Sequence, residues 1–213
     1  TEININSMSG LLGPNGAGKT TFFYILAGLL QPSEGEIIFN QKVITNKTIR
    51  ERANLGIVYL PQEPSIFRNL SVLDNIKSAF EVQKLDQREL SLRTEEIIED
   101  FDIGSITSQK GGDLSGGQRR RVEIARSIAL NPKFIMLDEP FAGIDPIAIL
   151  ELKNLIKKLS NKGLGILISD HNVKATMDIC SEIFIISEGS IISRGTPDEV
   201  SNNEIVKKTY LGE

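Results

Sequence analysis

The stretch Gly13-Pro14-Asn15-Gly16-Ala17-Gly18-Lys19-Thr20 has the spacing G-x-x-x-x-G-K-T, and its reading decides the fold. The apolar run before it, 8–12, predicts a short buried strand, and 21–30 predicts a helix. A glycine-rich turn between strand and helix aims successive backbone N–H groups at one point. The helix N-terminus adds its partial positive charge there. The Lys19 ammonium can neutralise β- and γ-phosphate oxygens, and the Thr20 hydroxyl can ligate Mg²⁺. The plainer alternative is a turn that only joins two elements. The spacing arises by chance, but rarely between a strand and a helix, so a phosphate-binding P-loop is the better reading.

Working outward, further buried strands are expected at 56–60, 134–137 and 165–169. Each ends in a group with chemistry. The first stops at Pro61 and Gln62, an amide at the place where a ligand crevice opens in an α/β sheet. The second ends in Asp138-Glu139-Pro140. One carboxylate there can hold Mg²⁺ through water, and the other can orient and deprotonate an attacking water. The third ends in Asp170-His171. His171 alone would read as a structural histidine, but its place beside the same crevice favours a functional one.

Other segments read as support or as a second anion site. Residues 36–39 and 43–44 suggest a small hairpin turning at Asn40-Gln41, and 48–54 a short polar helix. From Ser71, with Asp74 in the capping-box position, to about Phe101 the character is helical. Leu90, Ile97, Ile98 and Phe101 share one side, and no strand interrupts. Leu114-Ser115-Gly116-Gly117-Gln118 leads into a helix over 119–130, with Val122, Ala125, Ile128 and Ala129 buried. Ser115 as cap followed by bare glycines offers free N–H groups, as the P-loop does, although a plain helix cap is the commoner meaning. Arg119, Arg120 and Arg121 read as a solvated or salt-bridged face. Asp145-Pro146 starts another helix. Residues 182–187 and 190–194 form a hairpin about Glu188-Gly189, and 197–212 reads as short helices. No internal repeat is visible.

Composition sets bounds. With 213 residues and 40% hydrophobic content, the chain can bury one large core, with or without an inserted lobe. The net charge of −4 gives no general nucleic-acid-binding surface. A single cysteine, Cys180, excludes an internal disulfide and reads as a small core residue on a helix. No apolar run approaches the roughly 20 residues of a bilayer span, and no signal peptide is seen. Membrane contact is therefore expected through a partner. Residues 1–7 are too short for a hairpin before the P-loop strand, so the start is expected to be incomplete.

Walker A (13–20), Gln62, the signature 114–118, Walker B (134–138) with Glu139, a D-loop at 142–145 and His171 now stand in order. The chain resembles the nucleotide-binding subunits of ABC transporters over essentially its whole length. The resemblance implies a P-loop NTPase of α/β class. It would have a RecA-like core with a parallel sheet and a small antiparallel part, at about 1–69 and 131–213. An inserted α-helical lobe would fill about 70–130.

It also implies ATP sandwiched in a head-to-tail homodimer. Asn15, Gly16, Ala17, Gly18, Lys19 and Thr20 would hold the β- and γ-phosphates, and Thr21 the α-phosphate. Thr20, Gln62 and Asp138 would serve Mg²⁺. Glu139 would be the general base, with His171 at the γ-phosphate and Gln62 sensing it. Ser115, Gly117, Gln118 and Asp145 would act on the partner's ATP. The family's adenine-stacking aromatic normally precedes the P-loop strand and is absent from this sequence.

The stretches 59–72, 119–126, 138–146, 169–173 and 210–213 are similar to the ATPase of lipopolysaccharide export, and importers of branched-chain amino acids share much of this wording. Two transmembrane permeases would then be the partners, at the cytoplasmic face of the inner membrane, with no nucleic acid. The contact with them is expected beside Gln62, at a groove lined by Pro64, Ile66, Phe67, Arg68 and Leu70. Non-transport ABC ATPases usually carry a long coiled coil or two domains per chain, and neither pattern is present.

Overall fold

The structure, a computed structural model, describes residues 2, 3 and 7–207, the side chain of Ile205 excepted. Its strands are β1 (Met8–Leu12), the two-residue pair β2 (Ile38–Phe39) and β3 (Lys42–Val43), then β4 (Ile57–Leu60), β5 (Phe134–Asp138), β6 (Gly165–Ser169), β7 (Glu182–Ser187) and β8 (Ser190–Gly195). Six of them form one sheet in the order β4-β5-β6-β1-β7-β8. All neighbours are parallel except β8, which returns antiparallel on β7.

Side chains alternate across the sheet. Ile57, Phe134, Met136 and Leu167 join one core cluster, and Val58, Ile135, Leu137, Ile166 and Ile168 join the other. Because both faces are covered, the strands read as continuous apolar runs rather than as alternating ones.

The helices are α1 (Lys19–Ala27), α2 (Ile49–Asn54), α3 (Val72–Phe80), α4 (Gln87–Asp100), α5 (Gly116–Ala129), α6 (Pro146–Asn161), α7 (Val173–Met177), α8 (Pro197–Ser201) and α9 (Glu204–Val206). Phe23 and Ala27 of α1 cover the first face together with Phe39 and Ile44 of the small antiparallel part. The second face is covered by α5 and α6. On that side α3 and α4 pack with α5 through Ile76, Phe80, Ile97 and Val122. No strand interrupts 71–101 among the described residues. No helix of the described residues is long and apolar enough to cross a membrane.

Local chemistry sets the boundaries. Thr48, Ser115 and Thr196 close capping boxes with Glu51, Gln118 and Glu199. The expected tight turns are present, with Asn40 and Gln41 at φ 49° and 63°, and Glu188 and Gly189 at φ 49° and 77°.

Several boundaries differ from the sequence expectation. Helix α1 ends at Ala27, not at 30, because Gly28 turns left-handed and donates to Ile25 and Tyr24 carbonyls. Helix α5 begins at Gly116, so the signature glycines are already helical, and Ile128 is only half-buried. Cys180 is buried but follows α7 in the turn into β7, rather than sitting on a helix. The short helices of the tail are present up to Val206. The expectations for 1, 4–6 and 208–213 lie outside the described residues.

Candidate functional site

Parallel strands bring their C-terminal ends to one edge. The P-loop leaves β1, Gln62 follows β4, Asp138 and Glu139 end β5, and His171 follows β6. The edge therefore holds cation, carboxylates and imidazole at a crevice of the kind where α/β sheets bind ligands.

The P-loop is tightly determined. A Cβ on Gly13 would lie 2.1 Å from the Ile186 carbonyl oxygen, so only glycine fits against the end of β7. Gly18 enters α1 at φ 103° with no side-chain cap, leaving the first-turn N–H groups to a ligand. The Gly189 N–H donates to Ala17 at 2.9 Å, tying the β7–β8 turn to the loop. Lys19 Nζ donates to the carbonyls of Gly13 and Pro14 at 2.7 and 2.9 Å. Burial lowers its pKa, and the charges of Glu139 and Asp138 oppose that. Thr20 and Thr21 are exposed on the first turn.

Asp138 is buried at 7% exposure, and burial pushes its carboxyl pKa up. Its Oδ2 accepts from the Tyr59 hydroxyl at 3.0 Å. Glu139 adopts φ 46° and donates its N–H to Ser169 at 2.7 Å, which turns its side chain out of the strand. Its Oε1 lies 2.6 Å from His171 Nε2. Asp170, almost fully buried, accepts from Phe141 N–H at 2.8 Å and from Asn172 N–H at 2.7 Å. It thereby ties the start of the 142–145 loop to the turn that carries His171. Gln62 is exposed and makes no hydrogen bond among the described residues.

Ser115, Gly117, Gln118 and Asp145 lie elsewhere. Together with Arg121 and Glu151 they line a second hollow of about 320 Å³, which no P-loop residue lines. Asp145 caps α6 by accepting from Ile147 and Ala148 N–H groups. A Cβ on Gly117 would come within 2.6 Å of the Ala148 Cβ, so the starts of α5 and α6 are pressed together.

Three side chains whose contacts hold this edge together carried no site role in the sequence reading: Tyr59, Asp170 and Arg120. Arg120 is no part of a solvated face. It is 6% exposed and donates to the Pro61 carbonyl (2.9 Å), the Asp138 carbonyl (2.6 Å) and Glu123 (3.2 Å). Glu123 in turn accepts from Ser65 N–H, and Arg126 donates to the Ser65 carbonyl. Helix α5 thus grips both the root of the Gln62 segment and the end of β5. A signal was available, because Arg120, Glu123, Ile124 and Ser127 repeat at helical spacing and form the buried face.

The segment after Gln62 divides in two. Ile66 is core at 7% exposure, so it does not line the expected groove, whereas Phe67 is 49% exposed. Asn75 holds the Phe67 backbone at both N–H and carbonyl, and the Arg126 guanidinium lies 4.5 Å over the ring.

Comparison with known proteins gives consistent matches. Residues 1–142 match the family model described as ABC transporter, and 190–213 match one described as branched-chain amino acid ATP-binding cassette transporter. The lipopolysaccharide export system ATP-binding protein LptB of Haemophilus influenzae is 50% identical over 212 residues, 99% of this chain and 88% of the relative. LptB of Escherichia coli K12 is 48% identical with the same coverage. Among solved structures, an ATP-binding cassette of an ABC transporter in its ADP conformation superposes with TM-score 0.86 at 30% identity, covering 99% of this chain and 90% of that one. Clostridium perfringens cbiO1, part of the ABC transporter complex cbiONQ, gives 0.88 at 31% identity, covering 99% and 86%.

Proposed function

The chain belongs to the ATP-binding subunits of ABC transporters, and on that premise we propose that it hydrolyses Mg²⁺-ATP to drive lipopolysaccharide export through two membrane permeases. The observation that carries the substrate is the identity of 50% to the Haemophilus influenzae LptB over nearly the whole chain. The match of 190–213 to the branched-chain amino acid cassette favours, as second reading, an importer ATPase.

The P-loop N–H groups from Asn15 to Thr20 and the Lys19 ammonium bind the β- and γ-phosphates, and Thr21 binds the α-phosphate. On binding, Lys19 exchanges the Gly13 and Pro14 carbonyls for phosphate oxygens. Glu139 accepts the proton of the attacking water, and His171 holds Glu139 and the γ-phosphate in register. The exposed Thr20 hydroxyl, the Gln62 amide and Asp138 Oδ1 are hard oxygen donors of the kind Mg²⁺ takes. When bound, Mg²⁺ neutralises charge on the β- and γ-oxygens.

Ser115, Gly117, Gln118 and Asp145 act on the ATP of a second copy in a head-to-tail homodimer. That no P-loop residue lines their hollow supports this reading. Residues of about 1–69 and 131–213 form the core, and about 70–130 the lobe that turns against it. The protein works at the cytoplasmic face of the inner membrane, held there by the permeases.

The test is genetic. Expressed in cells depleted of their own lipopolysaccharide export ATPase, the chain restores growth, and its Glu139→Gln variant does not. Failure to restore growth or to co-purify with the lipopolysaccharide permeases overturns the substrate assignment.

A further inference from the structure

Tyr59 carries none of the ATP-site roles assigned above, yet its hydroxyl donates to the Asp138 carboxylate. We infer that Tyr59 is a positioning residue for Asp138, fixing its carboxylate through Oδ2 so that Oδ1 is left for the Mg²⁺ bound with ATP. The inference rests on the reading of Asp138 as a metal ligand.

The register explains the contact. Tyr59 pairs with Met136 across the β4–β5 ladder, so both side chains point to the α1 face, and Asp138 lies two residues further on that face. The ring is wedged in place by edge contacts to Phe23 and Tyr24, with centroids 6.1 Å away in each case and interplanar angles of 66° and 80°. Both residues belong to α1, the helix whose first turn carries Lys19 and Thr20. The phenol therefore bridges the helix that binds phosphate and the strand that ends in the acid.

The hydroxyl has a defined task. Asp138 is nearly closed to solvent, and the donor that the structure gives Oδ2 is the phenol. Oδ1 makes no hydrogen bond among the described residues. A tyrosine phenol is protonated near neutral pH, so it acts as a donor there. Without that donor the carboxylate is free to turn, and its charge is already felt at the Lys19 ammonium. Outer-sphere partners of this kind orient a ligating oxygen and commonly change metal affinity by about 10- to 100-fold.

The experiment compares Tyr59→Phe, Tyr24→Phe and Asp138→Asn in the full chain. ATP affinity is measured with chelator present, and Mn²⁺ affinity of the ATP-bound protein is measured by electron paramagnetic resonance. Tyr59→Phe should hold metal-free ATP within about twofold of the parent and lose about tenfold in Mn²⁺ affinity, on the outer-sphere scale. Tyr24→Phe, which keeps the aromatic cluster and does not touch Asp138, should change neither. Equal loss of ATP affinity with and without metal would make Tyr59 a packing residue and overturn the inference. If Tyr59→Phe binds Mn²⁺ normally while Asp138→Asn does not, the inference fails and the metal reading stands. If Asp138→Asn also binds Mn²⁺ normally, both fail.

Discussion

His171 Nε2 lies 2.6 Å from Glu139 Oε1, across the ends of the adjacent strands β5 and β6. Each partner is held by backbone bonds at those strand ends: Glu139 by its N–H to Ser169, and the turn of His171 by Asp170. The backbone at both strand ends thus sets the pair, and it orients the Glu139 carboxylate for the role proposed for it. Glu139→Gln should keep ATP binding and lose about 10²- to 10⁴-fold in kcat, the usual scale of a general base. Steady-state hydrolysis with radiolabelled ATP reads this directly, and near-parental turnover would remove Glu139 from the role. Lys19→Ala should instead weaken nucleotide binding itself.

The hollow shared by Ser115, Gly117 and Asp145 predicts behaviour in trans. Mixing Lys19→Ala with a Ser115→Arg variant should give mixed dimers with one composite site intact and one lacking both elements. Titrating one variant into the other should restore hydrolysis to a maximum near equal amounts. A strictly linear average of the two homodimers would contradict the head-to-tail arrangement.

Much of this site was legible from the chain alone, since it hangs on strand ends that announce themselves as apolar runs followed by Gly, Asp-Glu or Asp-His. What stayed hidden depends on pairing between distant segments. That Tyr59 meets Asp138 follows from β4 lying beside β5, which no local pattern states. Of the solvated or salt-bridged face expected at 119–121, Arg120 keeps the ion pair, with Glu123, but not the solvent, because the helix turns it onto the face that also carries Ile124. Ile66 and Phe67 look alike in sequence, but adjacent residues point apart, and only the packing of α3 decides which one is buried.

Arg120 and Glu123 form a buried ion pair at 3.2 Å with both side chains almost closed to solvent. Removing one partner strands the other charge, a loss of about 3–5 kcal/mol. Arg120→Met should therefore lower the Tm markedly, and the double variant Arg120→Met/Glu123→Gln should recover part of the loss, because a Gln amide oxygen still accepts from Ser65 N–H. Purely additive losses in a thermal-unfolding cycle would show that the pair is not the coupled unit.

Asp100 bridges Lys158 at 3.0 Å and Lys162 at 2.7 Å, and its carboxyl pKa is lowered first by the Lys162 hydrogen bond and also by Lys158. A depressed folded pKa means stability that is present above the unfolded carboxylate value and lost as pH falls through the folded one. All three side chains are more than a third exposed, so screening keeps the effect under about 1 kcal/mol. Asp100→Asn should be slightly less stable than the parent at pH 7 and in low salt. The gap should close in acid below the folded pKa, and also in 1 M salt. A gap that persists in acid would point to packing instead.

The divergence of Ile66 and Phe67 gives the most direct test of how this subunit meets a permease. Ile66 is buried against the glycine at 111 and the helical side of the core, where an added Cβ on that glycine would come within 2.9 Å of Ile66. Ile66→Ala should therefore cost about 2–5 kcal/mol of stability, as core truncations do. Phe67 is half-exposed, held in place from below by Asn75 and by the Arg126 guanidinium, with Leu70 also exposed nearby. An aromatic ring fixed outward by backbone bonds is suited to a partner's pocket. Phe67→Ala should leave the Tm within about 1 kcal/mol of the parent and leave ATP binding intact. It should nevertheless cut co-purification with the permeases and abolish growth rescue. Arg126 also donates to the Ser65 carbonyl, so α5 is tied to both Ser65 and Phe67. If Phe67→Ala unfolds the subunit, the ring belongs to the core, and if assembly and growth are untouched, the permeases dock elsewhere.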